Sequence, residues 1–143
     1  MTNYKYGTKS ADKLLTCHRA LQQIAALGLE YSPYDVTIVH GWRGKDVQNA
    51  LHDSGASTKQ YPNSKHNHVD ENEAPLSLAF DFAPWIDGAI PWGDTHIFAV
   101  IAGAFFAATL DLGYTVRWGG DWDSDGSTKD QRLMDWGHIE VLL

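Results

Sequence analysis

The sequence predicts a single α+β domain in which helices flank a central antiparallel sheet. Its 143 residues fit one domain, and 43% of them are hydrophobic against 20% charged, as in a folded globule. Apolar residues recur at helical spacing in some segments and alternate at strand spacing in others. Because the sequence contains no internal repeat or linker, we expect residues 1–143 to form one domain of this class.

Three elements are predicted in the first third of the chain. A helix begins near Ser10, a capping residue, and its apolar spacing continues to Gly28, which can end it. Residues 36–40 alternate between apolar and polar and predict a half-buried strand, and residues 45–52 predict a second, short helix. Cys17 falls in the first helical pattern and is predicted to be a buried structural thiol, since one cysteine allows no internal disulfide.

The remaining elements follow a long loop. Residues 56–75 are polar and contain scattered Gly, Pro, Ser and Asn, and a loop of that length is uncommon without a function. Residues 78–83 predict a strand, and Asp94 can cap a third helix with one apolar stripe. Residues 114–118 and 138–142 predict the final strands.

Net charge and hydropathy exclude several classes of protein. A net charge of -7 disfavours nucleic-acid binding, which needs a basic face, and disfavours association with anionic lipid. No apolar run is predicted to reach the length of a transmembrane span, and residues 1–7 lack the apolar stretch of a secretion signal. We therefore expect a product of the cytosol that does not insert into membranes.

Four residues carry the functional prediction. His66 lies on the loop, Asp81 lies within an apolar strand, and Asp135 precedes His138 by three positions at the start of the last strand. Each alone has an ordinary explanation: a solvated histidine, an ion-paired aspartate, or a cap in a turn. Together they supply two imidazoles and a carboxylate to hold a metal, with a second carboxylate as base. The set predicts a hydrolytic zinc site.

Several segments of the chain resemble a known family. The sequence is similar to the zinc peptidoglycan peptidases of the D-Ala-D-Ala metallopeptidase (VanY/VanX) superfamily. Within that group it most resembles the phage endolysins that are L-alanyl-D-glutamate endopeptidases. The segments that carry the resemblance are residues 32–39, Gly41-Trp42-Arg43, Ser64-Lys65-His66, Asp81-Phe82-Ala83-Pro84, residues 117–122 and Asp135-Trp136-Gly137-His138. The resemblance implies the fold shared by the VanY and Hedgehog proteins, an antiparallel sheet with a zinc site.

The resemblance also implies a role for each matching residue. His66, Asp81 and His138 would be the zinc ligands, and Asp135 would take a proton from the attacking water and pass it to the leaving amine. Arg43 would stabilise the oxyanion as a catalytic residue. Ser64 would help to bind the substrate backbone or to steady the ligands, and Gln48 would face the cleft from the second helix. Apart from the resemblance, Trp136 lies close to the motif residues in sequence and could also bind substrate.

One departure from the family leaves the first ligand open. His66 and Asp81 are fifteen residues apart, a longer spacing than the family usually has, because residues 69–75 look like an acidic insertion. Either His66 or His68 could then be the ligand, as could an acidic residue of the insertion: Asp70, Glu71 or Glu73. The insertion could alternatively form a lip over the substrate groove.

A second acidic motif has two interpretations. Asp121, Asp123 and Asp125, followed by Gly126, match the opening of a calcium-binding EF-hand loop. The twelfth position is Arg132 instead of glutamate, and no helical pair flanks the motif. The segment is therefore either a polar turn or a weak calcium site.

The tryptophans and the other histidines receive less specific predictions. Trp85 and Trp92 are predicted to lie in the core, whereas Trp118, Trp122 and Trp136 lie near the motifs and could line a groove. The histidines outside the motifs are predicted to be ordinary core or surface residues; they are His18, His40, His52 and His96.

The resemblance implies a phage lysis enzyme that cleaves an amide in the peptide stem of peptidoglycan, the L-Ala–D-Glu bond. It would be a monomer that remains in the host cytoplasm until a holin releases it to the wall, and it would have no separate wall-binding domain. Two alternatives remain. One is a D-Ala-D-Ala carboxypeptidase or dipeptidase, which would normally carry a secretion signal. The other is a non-catalytic, zinc-stabilised wall-binding module, which would have no use for Asp135 as a base.

Overall fold

A computed structural model describes residues 4–127 and 135–143. Within these residues the chain forms a mixed α+β fold around a four-stranded antiparallel sheet in the order β1-β2-β4-β3. The strands are β1 (Val36–His40), β2 (Ala79–Pro84), β3 (Thr115–Trp118) and β4 (His138–Leu142). The helices are α1 (Thr8–Leu14), α2 (Arg19–Tyr31), α3 (Lys45–Asp53), α4 (Thr95–Leu112) and a 3₁₀ helix (Lys65–Asn67). The predicted fold class is confirmed.

The prediction of one continuous first helix is wrong, because the chain breaks between α1 and α2. Cys17 lies in this break, where it forms a β-bridge with Ser77. His18 then begins α2, and its Nδ1 accepts the backbone N–H of Ala20 at 3.0 Å. Cys17 is buried as predicted, and burial raises the pKa of its thiol to about 12, so it is a structural residue.

The two residues predicted to bound that helix have other roles. Ser10 lies inside α1, and its Oγ accepts the backbone N–H of Ile38 at 2.9 Å, which ties α1 to β1. Gly28 lies inside α2, where a Cβ atom would come within 2.3 Å of the Phe105 ring. Close packing between α2 and α4, and not the end of a helix, requires the glycine at this position.

The later elements form where the sequence predicts them. Asp94 caps α4, and its Oδ1 accepts the backbone N–H of Ile97 at 3.3 Å. Gly113 ends the helix with a φ of 81°, a left-handed conformation that glycine adopts without strain. Among the described residues only α4 is long and apolar enough to span a membrane, by length and composition alone. The sequence analysis expected no apolar run of that length. Within the structure, α4 contributes Phe98, Ile101 and Phe105 to the hydrophobic core.

The core lies between α4 and one face of the sheet. The rings of Phe80 and Phe82 in β2 lie 5.3 and 5.0 Å from that of Phe105, in edge-on contacts. Ile139 and Val141 in β4 are buried in the same cluster. Because side chains alternate along a strand, the residues between these positions point to the other face of the sheet. That face carries the candidate site.

Candidate metal centre and active-site cleft

Three of the residues predicted to bind metal converge on this second face. His66 Nε2 lies 3.2 Å from Asp81 Oδ1 and 3.3 Å from His138 Nδ1. His138 Nδ1 lies 3.2 Å from the same carboxylate oxygen. All three atoms fall within 4.8 Å of one another, and His66 is only 1% exposed. The fold therefore brings together, from a loop and two strands, the donor set predicted from sequence.

The second nitrogen of each histidine has a protein partner. His66 Nδ1 lies 2.8 Å from the carbonyl oxygen of Gly41, and His138 Nε2 lies 2.9 Å from Glu140 Oε1. These contacts orient both rings so that the other nitrogen faces Asp81. Two imidazole nitrogens and one carboxylate fit Zn²⁺ and also other divalent transition metals. The residues therefore form a possible buried metal site with three protein donors.

The sequence analysis did not identify Glu140 as part of the site. Its Oε2 accepts a hydrogen bond from Arg117 Nη2 at 2.9 Å, so its two oxygens join a candidate ligand to a cation. Hydrogen bonding and charge from His138 and from Arg117 outweigh burial and lower the pKa of Glu140, which keeps it ionised. Strand alternation was the sequence signal that could have identified Glu140, because residues 138 and 140 lie on the same face of one strand.

The structure separates the two histidines that the sequence left as alternatives. His68 is exposed, and its Nδ1 lies 2.9 Å from the carbonyl oxygen of Leu76, away from the cluster. The insertion closes on itself, since Asp70 Oδ1 accepts the backbone N–H groups of Asn72 and Ala74 at 2.8 and 2.9 Å. None of residues 69–75 lines the cleft described below, so the insertion does not form a lip over it.

The second oxygen of Asp81 contacts two further residues. Oδ2 accepts a short hydrogen bond from Arg43 Nη2 and lies 3.3 Å from His40 Nδ1. Burial would raise the pKa of this carboxyl group, but the charge of His66 and hydrogen bonds from three histidines hold it well below its usual range. His40, predicted to be an ordinary core or surface residue, therefore contacts a candidate ligand. It lies opposite Asp81 in the β1–β2 register.

Asp135 lies at the edge of the cluster with its side chain half exposed. Its Oδ2 is 4.0 Å from His138 Nδ1. Partial burial and the nearby charge of Asp81 raise the pKa of Asp135. Its backbone is fixed, because its N–H donates to Gly119 O at 3.0 Å and its carbonyl accepts the N–H of His138 at 3.1 Å. A positioned carboxylate with a raised pKa is suited to proton transfer.

Gln48 is fully buried and does not face the cleft. Its Oε1 accepts hydrogen bonds from Arg43 Nη1 and Asn67 Nδ2, both at 3.3 Å. Its Nε2 donates to Ser57 Oγ at 3.0 Å and to the carbonyl oxygen of Lys59 at 2.7 Å. All its hydrogen-bonding groups are thus used within the protein, an arrangement typical of a positioning residue and not of direct substrate binding.

Ser64 caps the 3₁₀ helix that carries His66. Its Oγ accepts the backbone N–H of His66 at 3.2 Å, and its own N–H donates to Asn67 Oδ1 at 3.0 Å. This capping box holds the backbone of the candidate ligand in place. Of the two roles predicted for Ser64, the structure places it to steady the ligand, and it also lines the cleft.

A cavity of about 680 Å³ opens over the cluster. Its floor contains His66, Asp81 and His138, and Asp135 lies in its wall. Residues 55–59 and 64–65 form a polar wall, whereas other parts of the lining are aromatic. The Trp122 ring lies 5.2 Å from that of His138, so one aromatic residue covers a candidate ligand.

The tryptophan predictions are partly wrong. Trp85 and Trp92, predicted to lie in the core, are 43% and 61% exposed, and Trp92 lines the cavity. Trp122 and Trp136 also line it. Trp118 is buried instead, and its Nε1 donates to the carbonyl oxygen of Trp136 at 2.7 Å. Aromatic surface in the cavity therefore comes from two of the motif segments and also from a loop that carried no motif.

The three aspartates of the acidic motif also gather. One carboxylate oxygen from each of Asp121, Asp123 and Asp125 lies within 4.8 Å of the others. Asp121 Oδ2 accepts the backbone N–H of Gly126 at 2.8 Å, as in a tight polar turn. Arg132, at the twelfth position of the motif, lies outside the described residues. This geometry is compatible with both interpretations made from the sequence.

Comparisons with known proteins identify the family of this chain. Residues 2–142 match the family described as phage L-alanyl-D-glutamate peptidase. The chain is 37% identical over 145 residues to the L-alanyl-D-glutamate peptidase of Escherichia phage T5, an alignment that covers 98% of this chain and 99% of that protein. Its fold is similar to the crystal structure of the Serratia marcescens L-Ala D-Glu endopeptidase ChiX. That likeness has a TM-score of 0.76 and 23% identity, and it covers 98% of this chain and 92% of the other.

Proposed function

This chain belongs to the phage L-alanyl-D-glutamate peptidase family, and from this premise we propose that it hydrolyses the L-Ala–D-Glu amide of peptidoglycan stem peptides. The observation that carries the proposal is the convergence of His66, Asp81 and His138 beside the half-exposed Asp135 in one cleft. A site that only stabilised the fold would normally have four protein ligands and no adjacent base. The proposal therefore favours an enzyme over a wall-binding module.

His66, Asp81 and His138 would hold Zn²⁺ in this proposal. When bound, the ion would supply Lewis acidity to activate water and polarise the amide carbonyl. Glu140 would keep the His138 ring in place by accepting a hydrogen bond from Nε2. Arg43 would neutralise part of the Asp81 charge, so that the buried carboxylate is not left unpaired.

Asp135 would move the proton. It would accept a proton from the attacking water and deliver it to the amide nitrogen as the C–N bond breaks, which releases an amine and a carboxylate. The raised pKa of Asp135 supports both halves of this transfer. Arg43 lines the cleft and donates one N–H of Nη1 to Gln48 Oε1. The other N–H of Nη1 would donate to the carbonyl oxygen as negative charge develops there.

We place this reaction in phage-induced lysis, following the family of the chain. The enzyme would remain in the host cytoplasm as a monomer, pass through a holin-dependent opening, and attack the wall from the periplasm. We further propose that residues 1–143 act as one catalytic domain.

Mass spectrometry of purified peptidoglycan digested by the protein tests the function. We expect new amino termini at D-Glu that disappear with a chelator and return with Zn²⁺. Release of free D-Ala would instead indicate the carboxypeptidase or dipeptidase alternative. No product from protein fully loaded with metal would contradict the enzyme proposal and favour the binding module.

A separate proposal concerns the acidic motif. Asp121, Asp123 and Asp125 would bind Ca²⁺, because their carboxylate oxygens already lie within 4.8 Å of one another. Isothermal titration of calcium into the zinc-loaded protein tests this, with the Asp123→Asn variant as control. Binding that is lost in the variant supports a calcium site, whereas no binding to the parent protein leaves the segment as a polar turn.

A further inference from the structure

The polar wall of the cleft contains two lysines, Lys59 and Lys65, to which none of the roles above assigns a function. We infer that Lys59 and Lys65 recognise the free carboxylate of the D-glutamate residue whose amide is cleaved. This inference rests on the proposed function and deepens it, because it assigns the residues that select the substrate.

The chemistry of the substrate creates the need for such a group. D-glutamate has two carboxyl groups, and a peptide stem can continue through only one of them. The other stays ionised at neutral pH unless it is amidated. It belongs to the residue that supplies the nitrogen of the scissile amide, so it must enter the cleft together with that nitrogen.

This carboxylate would enter a cleft whose lining includes three acidic side chains. The protein has a net charge of -7, and Asp81, Asp135 and Glu140 all line the cavity. Asp135, which would act on the amide nitrogen, has no Lys or Arg ion-pair partner among the described residues. A second carboxylate brought close to it would be disfavoured by like-charge repulsion.

Of the four Lys and Arg residues that line the cavity, two are already engaged. Arg43 pairs with Asp81, and Arg117 pairs with Glu140 at 2.9 Å. The ammonium groups of Lys59 and Lys65 are in no salt bridge or hydrogen bond within the described parts of the chain, and both residues are exposed. They are the cations of this cleft that neither an ion pair nor a role proposed above already uses.

The backbones of both lysines are tied to the site. The carbonyl oxygen of Lys59 accepts the bond from buried Gln48 Nε2 at 2.7 Å, and Gln48 also holds Arg43. Lys65 directly precedes His66, and its carbonyl oxygen accepts the N–H of Leu78 at 3.0 Å. Each long side chain therefore starts from a hydrogen-bonded backbone position in the lining of the cleft. A flexible ammonium suits a carboxylate that reaches the site partly hydrated.

Two synthetic stem peptides test the inference. One contains L-Ala–γ-D-Glu with a free α-carboxylate, and the other contains the α-amide, D-isoglutamine, at the same position. We expect the zinc-loaded protein to cleave the carboxylate peptide with a kcat/KM about tenfold higher. Lys59→Gln and Lys65→Gln should each lower that ratio by about two- to fivefold, because each removes one partly exposed ion pair. The double variant should bring the ratio close to one.

Lys45→Gln is the matched control, because it removes the same charge from an exposed residue of α3 that does not line the cavity. It should leave the ratio unchanged, and equal melting temperatures should show that all variants fold. Equal cleavage of both peptides by the parent protein, or an unchanged ratio in the double variant, would overturn the inference and leave the proposed function standing. An equal loss in Lys45→Gln would also overturn it, in favour of an effect of overall charge. Cleavage of neither peptide by the parent protein would instead refute the proposed function.

Discussion

Strands β2 and β4 carry large apolar side chains on one face and three ionisable side chains on the other, and all of these side chains are largely buried. The core face includes Phe80, Phe82, Ile139 and Val141, each no more than 1% exposed. The site face includes Asp81, His138 and Glu140, whose side chains are 13%, 9% and 4% exposed. Similar burial therefore accompanies opposite chemistry on the same two strands.

The two faces contribute differently to the free energy of folding. Burying a large apolar side chain stabilises the fold by about 1.5–3 kcal/mol. Burying a charge is costly, and the ion pairs on the site face mainly offset that cost. The core face thus stabilises the sheet, and this stabilisation offsets the free-energy cost of holding charged groups close together on the site face. Changes on the two faces should consequently separate stability from activity.

The largest expected effect is on turnover, at the edge of the site face. Asp135→Asn should lower kcat by about 10²- to 10⁴-fold, because the amide cannot accept the proton. The free energy of unfolding and the bound zinc, measured by elemental analysis, should stay near their parent values. If zinc were lost in parallel with turnover, Asp135 would be part of the metal site and not the base.

The next largest effect should come from the core face. Phe80→Ala should lower the free energy of unfolding by about 3–5 kcal/mol, because it leaves a cavity against Phe105. Denaturant titration measures this loss. Zinc affinity should match that of the parent protein when it is measured at denaturant concentrations well below the unfolding midpoint. A large drop in that affinity would show that the two faces are not separable.

A change at Glu140, which contacts the candidate ligand His138, should have an intermediate effect on zinc affinity. Glu140→Gln removes the charged acceptor from His138 Nε2 and should weaken zinc affinity by about 10- to 100-fold. Competition with a chromogenic chelator measures the affinity. His52→Gln, on exposed α3, is the control and should leave affinity unchanged. Unaltered affinity in Glu140→Gln would mean that the contact does not orient the ring.

The smallest expected effect is a pH dependence of the metal-free protein. Burial opposes protonation of His138, but hydrogen bonds to Asp81 and Glu140 outweigh it and raise the pKa to about 9. A raised pKa in the folded state stabilises the protein below the unfolded value of about 6.5, and this contribution is lost as the pH rises through about 9. The metal-free protein should lose on the order of 1–2 kcal/mol between pH 7 and pH 9.

Denaturation at several pH values, with and without Zn²⁺, checks this. Zinc should remove the dependence, because a metal ligand is already deprotonated. An equal dependence in the zinc-loaded protein would assign it to another group.

Several features were predictable because they depend on neighbours in sequence. Asp94 and Gly113 bound α4 through local capping and a left-handed turn, as their residue types indicate. Alternation in β2 placed Asp81 opposite the phenylalanines on either side of it. The donor set of His66, Asp81 and His138 followed from residue type and from a family resemblance, and the fold brings these residues together.

Other features depend on partners that are distant in sequence. His40 and Arg117 reach the site because the sheet register pairs them with Asp81 and Glu140, and a β-bulge precedes His40 in its pairing. Gly28 stays helical because α4 packs against it, although its local signal is that of a helix end.

The sequence alone therefore determined the fold class, the later elements and the types of the candidate ligands, because spacing, caps and alternation act over a few residues. Tertiary structure alone decided the break between α1 and α2, the separation of His66 from His68 and the hydrogen-bonded surroundings of the ligands. Those features depend on the free energy of contacts between segments that are distant in sequence, and the local spacing of residue types carries no information about those contacts.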